Sequence, residues 1–214
     1  NNTKRIIMAT ETWEVKEKLR PRGLDGISDT QIDYHFDAHY KGYVAKLNEI
    51  WSKLPSVDLS KANQNYSDLR EMKLEETFNY DGSMLHEYYF ESLTKDHVEM
   101  PASVKEQIEK DFGSYENFVA LFKATGTAFR GWAHLIFDLN YGKLRVVGAD
   151  IHSAAAIWNA LMILPLDVYE HAYYVDYGAK RAPYLDAFMK NVNWKVVEKR
   201  LERAKRVYEA FKKE

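Results

Sequence analysis

The chain has 214 residues, a formal net charge of −2 and 46% apolar residues, enough for one large or two small domains with a real core. No apolar run approaches twenty residues, so no membrane span is expected, and the near-neutral balance argues against nucleic-acid binding through a basic field. Cysteine is absent, which excludes disulfides, thiolate nucleophiles and thiolate metal sites and leaves histidine and carboxylate as metal donors.

Residues 1–27 read as irregular, punctuated by Pro21, Gly23 and Gly26. Near the start, Ile6–Ala9 is too short an apolar stretch for a secretory leader and has no small-residue cleavage site. A cytoplasmic location is expected. Ser28-Asp29-Thr30-Gln31 matches a capping box and should open a helix running to about Lys53, where Pro55 stops it. Residues 56–66 are polar and loop-like. A second long helix follows to about Leu93, with Gly82 inside it either as a kink or as room for a close neighbour. Shorter helices fit 103–111 and 114–128.

The periodicity then changes. WAHLIFDL, the turn Asn140-Tyr141-Gly142 and KLRVVGAD read as a two-stranded hairpin. LMILPLD (161–167) reads as a third strand, which Pro165 confines to an edge or a strand end. Helices return at about 183–191 and 194–212. The order predicts an α+β fold: an N-terminal irregular segment and helical hairpin domain (1–98), then a C-terminal α/β domain (99–214) with a small three-stranded antiparallel sheet.

Six residues invite a functional reading. His35 and His39 are four apart on one helix, where they could grip one metal or simply share a solvated face. His86 stands among apolar and aromatic residues in GSMLHEYYF, as a metal ligand or as a core histidine bonded to backbone. Asp167 closes an apolar strand, and Asp167-Val168-Tyr169-Glu170-His171 offers three possible ligands in five residues. A helix-capping aspartate followed by a surface Glu-His is the competing reading. Imidazoles with carboxylates and no sulfur suit iron, manganese or zinc.

At these same residues the sequence resembles the iron/manganese superoxide dismutases. The resemblance is carried by His35-Phe36-Asp37-Ala38-His39-Tyr40-Lys41-Gly42-Tyr43, His86-Glu87-Tyr88-Tyr89, Arg130-Gly131-Trp132-Ala133, Asp167-Val168-Tyr169-Glu170-His171-Ala172-Tyr173-Tyr174 and Asn191-Val192-Asn193-Trp194. It spans roughly residues 28–212, and in texture is nearest the enzymes of thermophilic bacteria such as Aquifex. The 29% of charged residues, with both signs interleaved, suits surface ion-pair networks at high temperature or an ordinary soluble surface.

The resemblance implies one iron ion (or manganese) per subunit, clamped between the two domains by His35, His86, Asp167 and His171, with a coordinated water or hydroxide completing the site. It places His39 outside the ligand set, lining the substrate entrance with Tyr43. It implies a homodimer, possibly a tetramer, in which Glu170 reaches His171 of the partner subunit and Tyr174 reaches the partner subunit's His39. Arg181 matches the basic residue at the funnel mouth that would focus the superoxide anion.

Departures from the family pattern are Tyr169 and His134 where tryptophans are usual, Ala38 where lysine is frequent, and Gly82 where iron enzymes carry a glutamine that contacts the coordinated solvent. His152 is the candidate to make that contact instead. The competing functional readings are another non-haem iron enzyme handling dioxygen, or a metal-binding relative with weakened turnover.

Overall fold

The computed structural model describes residues 11–154 and 157–212; the Ile6–Ala9 stretch weighed above as a leader lies outside them. Ser28 caps α1 (Asp29–Tyr34) by accepting a hydrogen bond from the Gln31 amide at 3.0 Å. The expected capping box is only half formed. The Ser28 amide donates to Asp176 Oδ2 at 2.7 Å, which leaves the buried Gln31 side chain free for a distant task.

The single helix expected through Lys53 is also interrupted. His35–Tyr40 forms a π-helical turn before α2 (Lys41–Lys53), and Pro55 closes the run in a short 3-10 turn. α3 (Asp68–Glu91), capped by Ser67, packs back on α2 to complete the hairpin. Gly82 leaves α3 continuous and serves as room for a neighbour: a Cβ there would lie 2.9 Å from Cγ of Tyr43.

The second half follows the sequence closely. α4 (Ala102–Phe112) and α5 (Tyr115–Ala128) precede β1 (Trp132–Asp138), β2 (Lys143–Ala149) and β3 (Ala160–Asp167). The sheet is antiparallel in the order β2-β1-β3, with Trp132 opposite both Ala149 and Asp167. β1 lies in the centre and is buried along its whole length, whereas Pro165 lies in β3 at an edge, where a missing N–H costs no ladder bond. A 3-10 turn (Glu170–Ala172) and the short α6 (Tyr174–Tyr177), neither anticipated, lead to α7 (Arg181–Lys190) and α8 (Trp194–Phe211).

Both halves contribute to one continuous core. Phe36, Tyr40, Leu85, Tyr89 and Phe90 of the hairpin are buried with Trp132, Leu164, Tyr184 and Phe188 of the second half. Backbone bonds from Thr94 N to Asn191 O (2.9 Å) and from Asn193 N to Ser92 O (2.7 Å) tie the end of the hairpin to the α7–α8 turn. The π turn and α3 therefore face the end of β3 across a fixed seam. Among the described residues, no helix is long and apolar enough to cross a membrane.

Candidate metal centre

Four elements deliver four donors to that seam. His35 opens the π turn, His86 projects from α3, Asp167 is the last residue of β3, and His171 lies in the 3-10 turn beyond it. One donor atom from each lies within 4.8 Å of every other. The Nε2 atoms of His35, His86 and His171 stand 3.0, 3.3 and 3.0 Å from the same oxygen, Asp167 Oδ2. His35, His86 and Asp167 are fully buried, and His171 nearly so.

The hydrogen-bond chemistry says what this crowd is for. His86 Nδ1 lies 2.6 Å from the Gly82 carbonyl, which can only accept, so Nδ1 carries the hydrogen. A neutral His86 then turns its Nε2 lone pair toward a carboxylate oxygen. Two acceptors facing each other in a dry interior repel unless a proton or a cation lies between them. Burial disfavours the proton: it pushes His86 below its ordinary value and His35 down to about 3. Burial by itself would raise the Asp167 carboxyl, but the charge and hydrogen bonds of the surrounding imidazoles hold it well below its usual range. An anionic oxygen, the inward lone pair of His86 and two further imidazoles on the same oxygen fit a transition-metal cation of the iron, manganese or zinc kind.

The ligands are braced from behind. Asp167 does both things its sequence context allowed. Its Oδ1 accepts from the Tyr169 amide at 2.9 Å, an Asx turn, while Oδ2 faces the imidazoles. Its carbonyl accepts from the Tyr184 hydroxyl at 2.7 Å. The Gln31 amide donates to the His171 carbonyl at 2.6 Å and accepts from the Val175 amide at 3.0 Å, pinning the turn to α1. In the sequence Gln31 reads only as half of a capping box, and nothing there points to its contact with the His171 turn.

Around the donors lies an aromatic shell. His39 stacks on His171 with ring centres 4.1 Å apart but stands 6.5 Å from His35 and outside the donor set. The i,i+4 pair does not close on one ion: the His35 ring is buried among the other donors, whereas His39 is half-buried and stacked on His171. Tyr43 packs at 5.2 Å from His86 and 4.7 Å from His152, its phenol pushed up by burial. Tyr169 stacks on His171 at 5.0 Å and meets His152 at 4.9 Å.

His152 Nδ1 accepts from Trp132 Nε1 at 2.9 Å, so its hydrogen is on Nε2, which is buried and has no protein partner among the described residues. His134 lies flat against Trp132 on β1. Behind His86, Glu87 is buried and accepts from Trp13 Nε1 at 2.6 Å, from the Tyr40 hydroxyl at 2.8 Å and from Lys16. Its burial was not readable from a charged residue on a long helix.

Arg181 has structural partners of its own. Its guanidinium donates to the carbonyls of Gly126 (3.0 Å) and Phe129 (2.7 Å), closing the C-terminal end of α5, and to the Tyr173 hydroxyl at 3.2 Å. Glu170 and Tyr174 are exposed on the rim beside His171.

Residues 17–94 match the family model described as "Iron/manganese superoxide dismutases, alpha-hairpin domain", and residues 100–200 match "Iron/manganese superoxide dismutases, C-terminal domain". The chain belongs to the iron/manganese superoxide dismutase family. Within this family, the proteins named "Superoxide dismutase [Fe]" of Aquifex pyrophilus and Aquifex aeolicus are 50% and 49% identical to it over 209 residues, 96% of this chain and 98% of each relative. "Superoxide dismutase [Mn] 1" of Halobacterium salinarum is 34% identical over 184 residues, 86% of this chain and 90% of that one. The resemblance drawn from the short motifs thus extends over almost the whole chain.

Proposed function

We propose that this chain disproportionates superoxide to dioxygen and hydrogen peroxide at a single iron ion, with manganese as the alternative, held by His35, His86, Asp167 and His171. The carrying observation is the His86 tautomer: with Nδ1–H on the Gly82 carbonyl, an imidazole lone pair faces a buried carboxylate. Iron is favoured by the names of the two relatives near 50% identity, and manganese by those at 34%. The bound ion supplies the one-electron couple that alternately accepts and returns an electron.

The protein's own part is to gather donors and govern protons. Asp167 contributes the one negative charge among the ligands, which favours the oxidised ion, and the neutral imidazoles moderate that preference. Two superoxide ions and two protons make each peroxide, so a protonated chain to the site is needed. Tyr43 keeps its proton because burial raises its phenol, and His39, lowered to about 4 by burial and by the neighbouring His171, is neutral near pH 7 and can pass a proton. His152 presents an Nε2–H that is otherwise unmatched, in the role the family's glutamine plays toward solvent in the site. Arg181 keeps a positive charge near the rim, although its head group also caps α5.

A homodimer, or a tetramer built from it, belongs to the same reading. Glu170 would brace the partner subunit's His171, and Tyr174 would meet the partner subunit's His39. Supporting it are exposed apolar side chains at the junction of α1 and α6: Tyr34, Tyr174 and Val175 are each more than half exposed. Division of the chain at 98/99 is supported by the stretch between α3 and α4, and a thermophilic source by the Aquifex relatives. A cytoplasmic location and an antioxidant role complete the reading. The test is metal analysis of natively expressed protein with a dismutation assay after reloading with iron or manganese. Stoichiometric metal lost in Asp167→Ala and activity with at least one metal are expected; full metal without dismutation would favour a weakened relative.

A further inference from the structure

A groove on the Glu87–Glu91 face of α3, away from the face that carries His86, has no part in the reading above. It measures about 390 Å³ and runs between the segment preceding α1 and the outer side of α8. Lys16 and Lys18 stand on one wall, and Lys199, Arg200, Arg203 and Arg206 on the other.

Two of these cations are neutralised locally. Lys16 pairs with Glu87, and Arg200 pairs with Glu91 at 2.7 Å. Arg200 is also fixed in place, donating to the Ile163 carbonyl at 3.0 Å and lying 4.3 Å over the Tyr88 ring. Among the described residues, Lys18, Lys199, Arg203 and Arg206 make no ion pair, even though Glu202 is one helical turn before Arg206. Elsewhere several surface cations that share a turn with a carboxylate do pair, as Lys41, Lys46, Lys53 and Lys73 show. A chain of net charge −2 therefore concentrates four unmatched positive charges around one concavity.

We propose that this groove binds a small oligophosphate, an anion with several charges on a short chain. Lys199, Arg203 and Arg206 form a row along α8, with axial steps of about 6 and 4.5 Å at the α-helical rise of 1.5 Å per residue. Two of the three are arginines, whose planar forks match phosphate oxygens in pairs. Lys18 closes on the anion from the opposite wall. A long polyanion leaving the groove would meet a chain whose overall balance is negative. A short ligand avoids that cost. Superoxide, with a single charge, gains little from four cations and would meet Glu87 and Glu91 on the floor.

An anion spanning both walls would tie the segment before α1 to α8, and its binding would raise the unfolding temperature of the protein. The probe is sodium tripolyphosphate titrated calorimetrically into the metal-loaded enzyme, at low and at physiological ionic strength, with orthophosphate and a short single-stranded oligonucleotide as comparators. Saturable one-to-one binding is expected, weakened by salt, with orthophosphate at least about tenfold weaker. The Arg203→Ser/Arg206→Ser variant should lose about tenfold or more in affinity, while its metal content and dismutation stay those of the parent. Lys18→Glu, on the other wall, should weaken binding likewise and decides the matter if the double variant fails to load metal. Absence of saturable binding at low salt, or the same affinity in both variants, overturns the site. Tighter binding of the oligonucleotide than of tripolyphosphate overturns the choice of a short ligand.

Discussion

Gly82→Ala isolates the packing on which the entrance to the site depends. A Cβ at this position would lie 2.9 Å from Tyr43 Cγ and 3.2 Å from both Cδ atoms, against the ring rather than against a flexible end. In a helix interior the change by itself gains about 1 kcal/mol. Forcing a methyl group against a packed ring costs about 1–3 kcal/mol, so the net effect is roughly 0–2 kcal/mol of destabilisation. The ring cannot yield freely, because it is wedged against His86 at 5.2 Å and His152 at 4.7 Å. Turnover should fall with metal content intact, since the displaced phenol lines the entrance.

The assay is urea unfolding at fixed free metal, run as a double-mutant cycle with Tyr43→Ala. With the ring gone, Gly82→Ala should stabilise by about 1 kcal/mol, giving a coupling of about 1–3 kcal/mol between the two positions. Stabilisation by Gly82→Ala in the parent, no coupling and unchanged turnover would refute the reasoning.

The metal-free protein should lose stability on acidification. Burial lowers His35 to about 3, His134 to about 4 and His152 to about 3, with the neighbouring imidazoles adding to the shift at His152, and it lowers His86 as well. The unfolded chain therefore takes up more protons below its ordinary histidine pKa of about 6.5. Stability is full above that pH and falls as pH drops toward the folded values, at up to about 1.4 kcal/mol per pH unit for each group; a urea midpoint unchanged from pH 8 to about 5 would contradict this.

Arg181→Ala should cost about 2–3 kcal/mol by stripping the carbonyls at the end of α5 of a charged donor. An unchanged unfolding temperature with a lower dismutation rate that falls less with added salt would show that steering is its whole task. His152→Ala should retain the metal while its reduction potential moves and turnover drops; a redox titration superimposable on the parent's removes His152 from the mechanism. For Glu170→Ala, sedimentation and metal analysis should show dimer and metal lost together, and an intact, fully loaded dimer would dismiss the brace.

The elements and their order were legible in the sequence because they follow from local rules: a serine cap at Ser28, a proline stop at Pro55, a Tyr-Gly turn between two apolar runs, and Pro165 marking an edge. The candidate ligands were legible through the resemblance, because the spacing of Asp167 and His171 is set by one short turn. Spacing alone left His35 and His39 either a metal-gripping pair or two residues on one solvated face, and there only the tertiary structure decided. His35 is buried among the other donors, and His39 is stacked on His171 outside the donor set.

The tautomers of His86 and His152 were equally out of reach. They are set by the Gly82 carbonyl and the Trp132 indole, one four residues away on the same helix and the other across the fold. Gln31 reads as half of a capping box, Glu87 as a charged residue on a long helix and Arg181 as a cation at the funnel mouth, yet each acts at long range, on His171, on Trp13 and Tyr40, and on the end of α5. A polar side chain's partner is chosen by which segments the core brings together, and that choice exists only once the two halves have closed on one another.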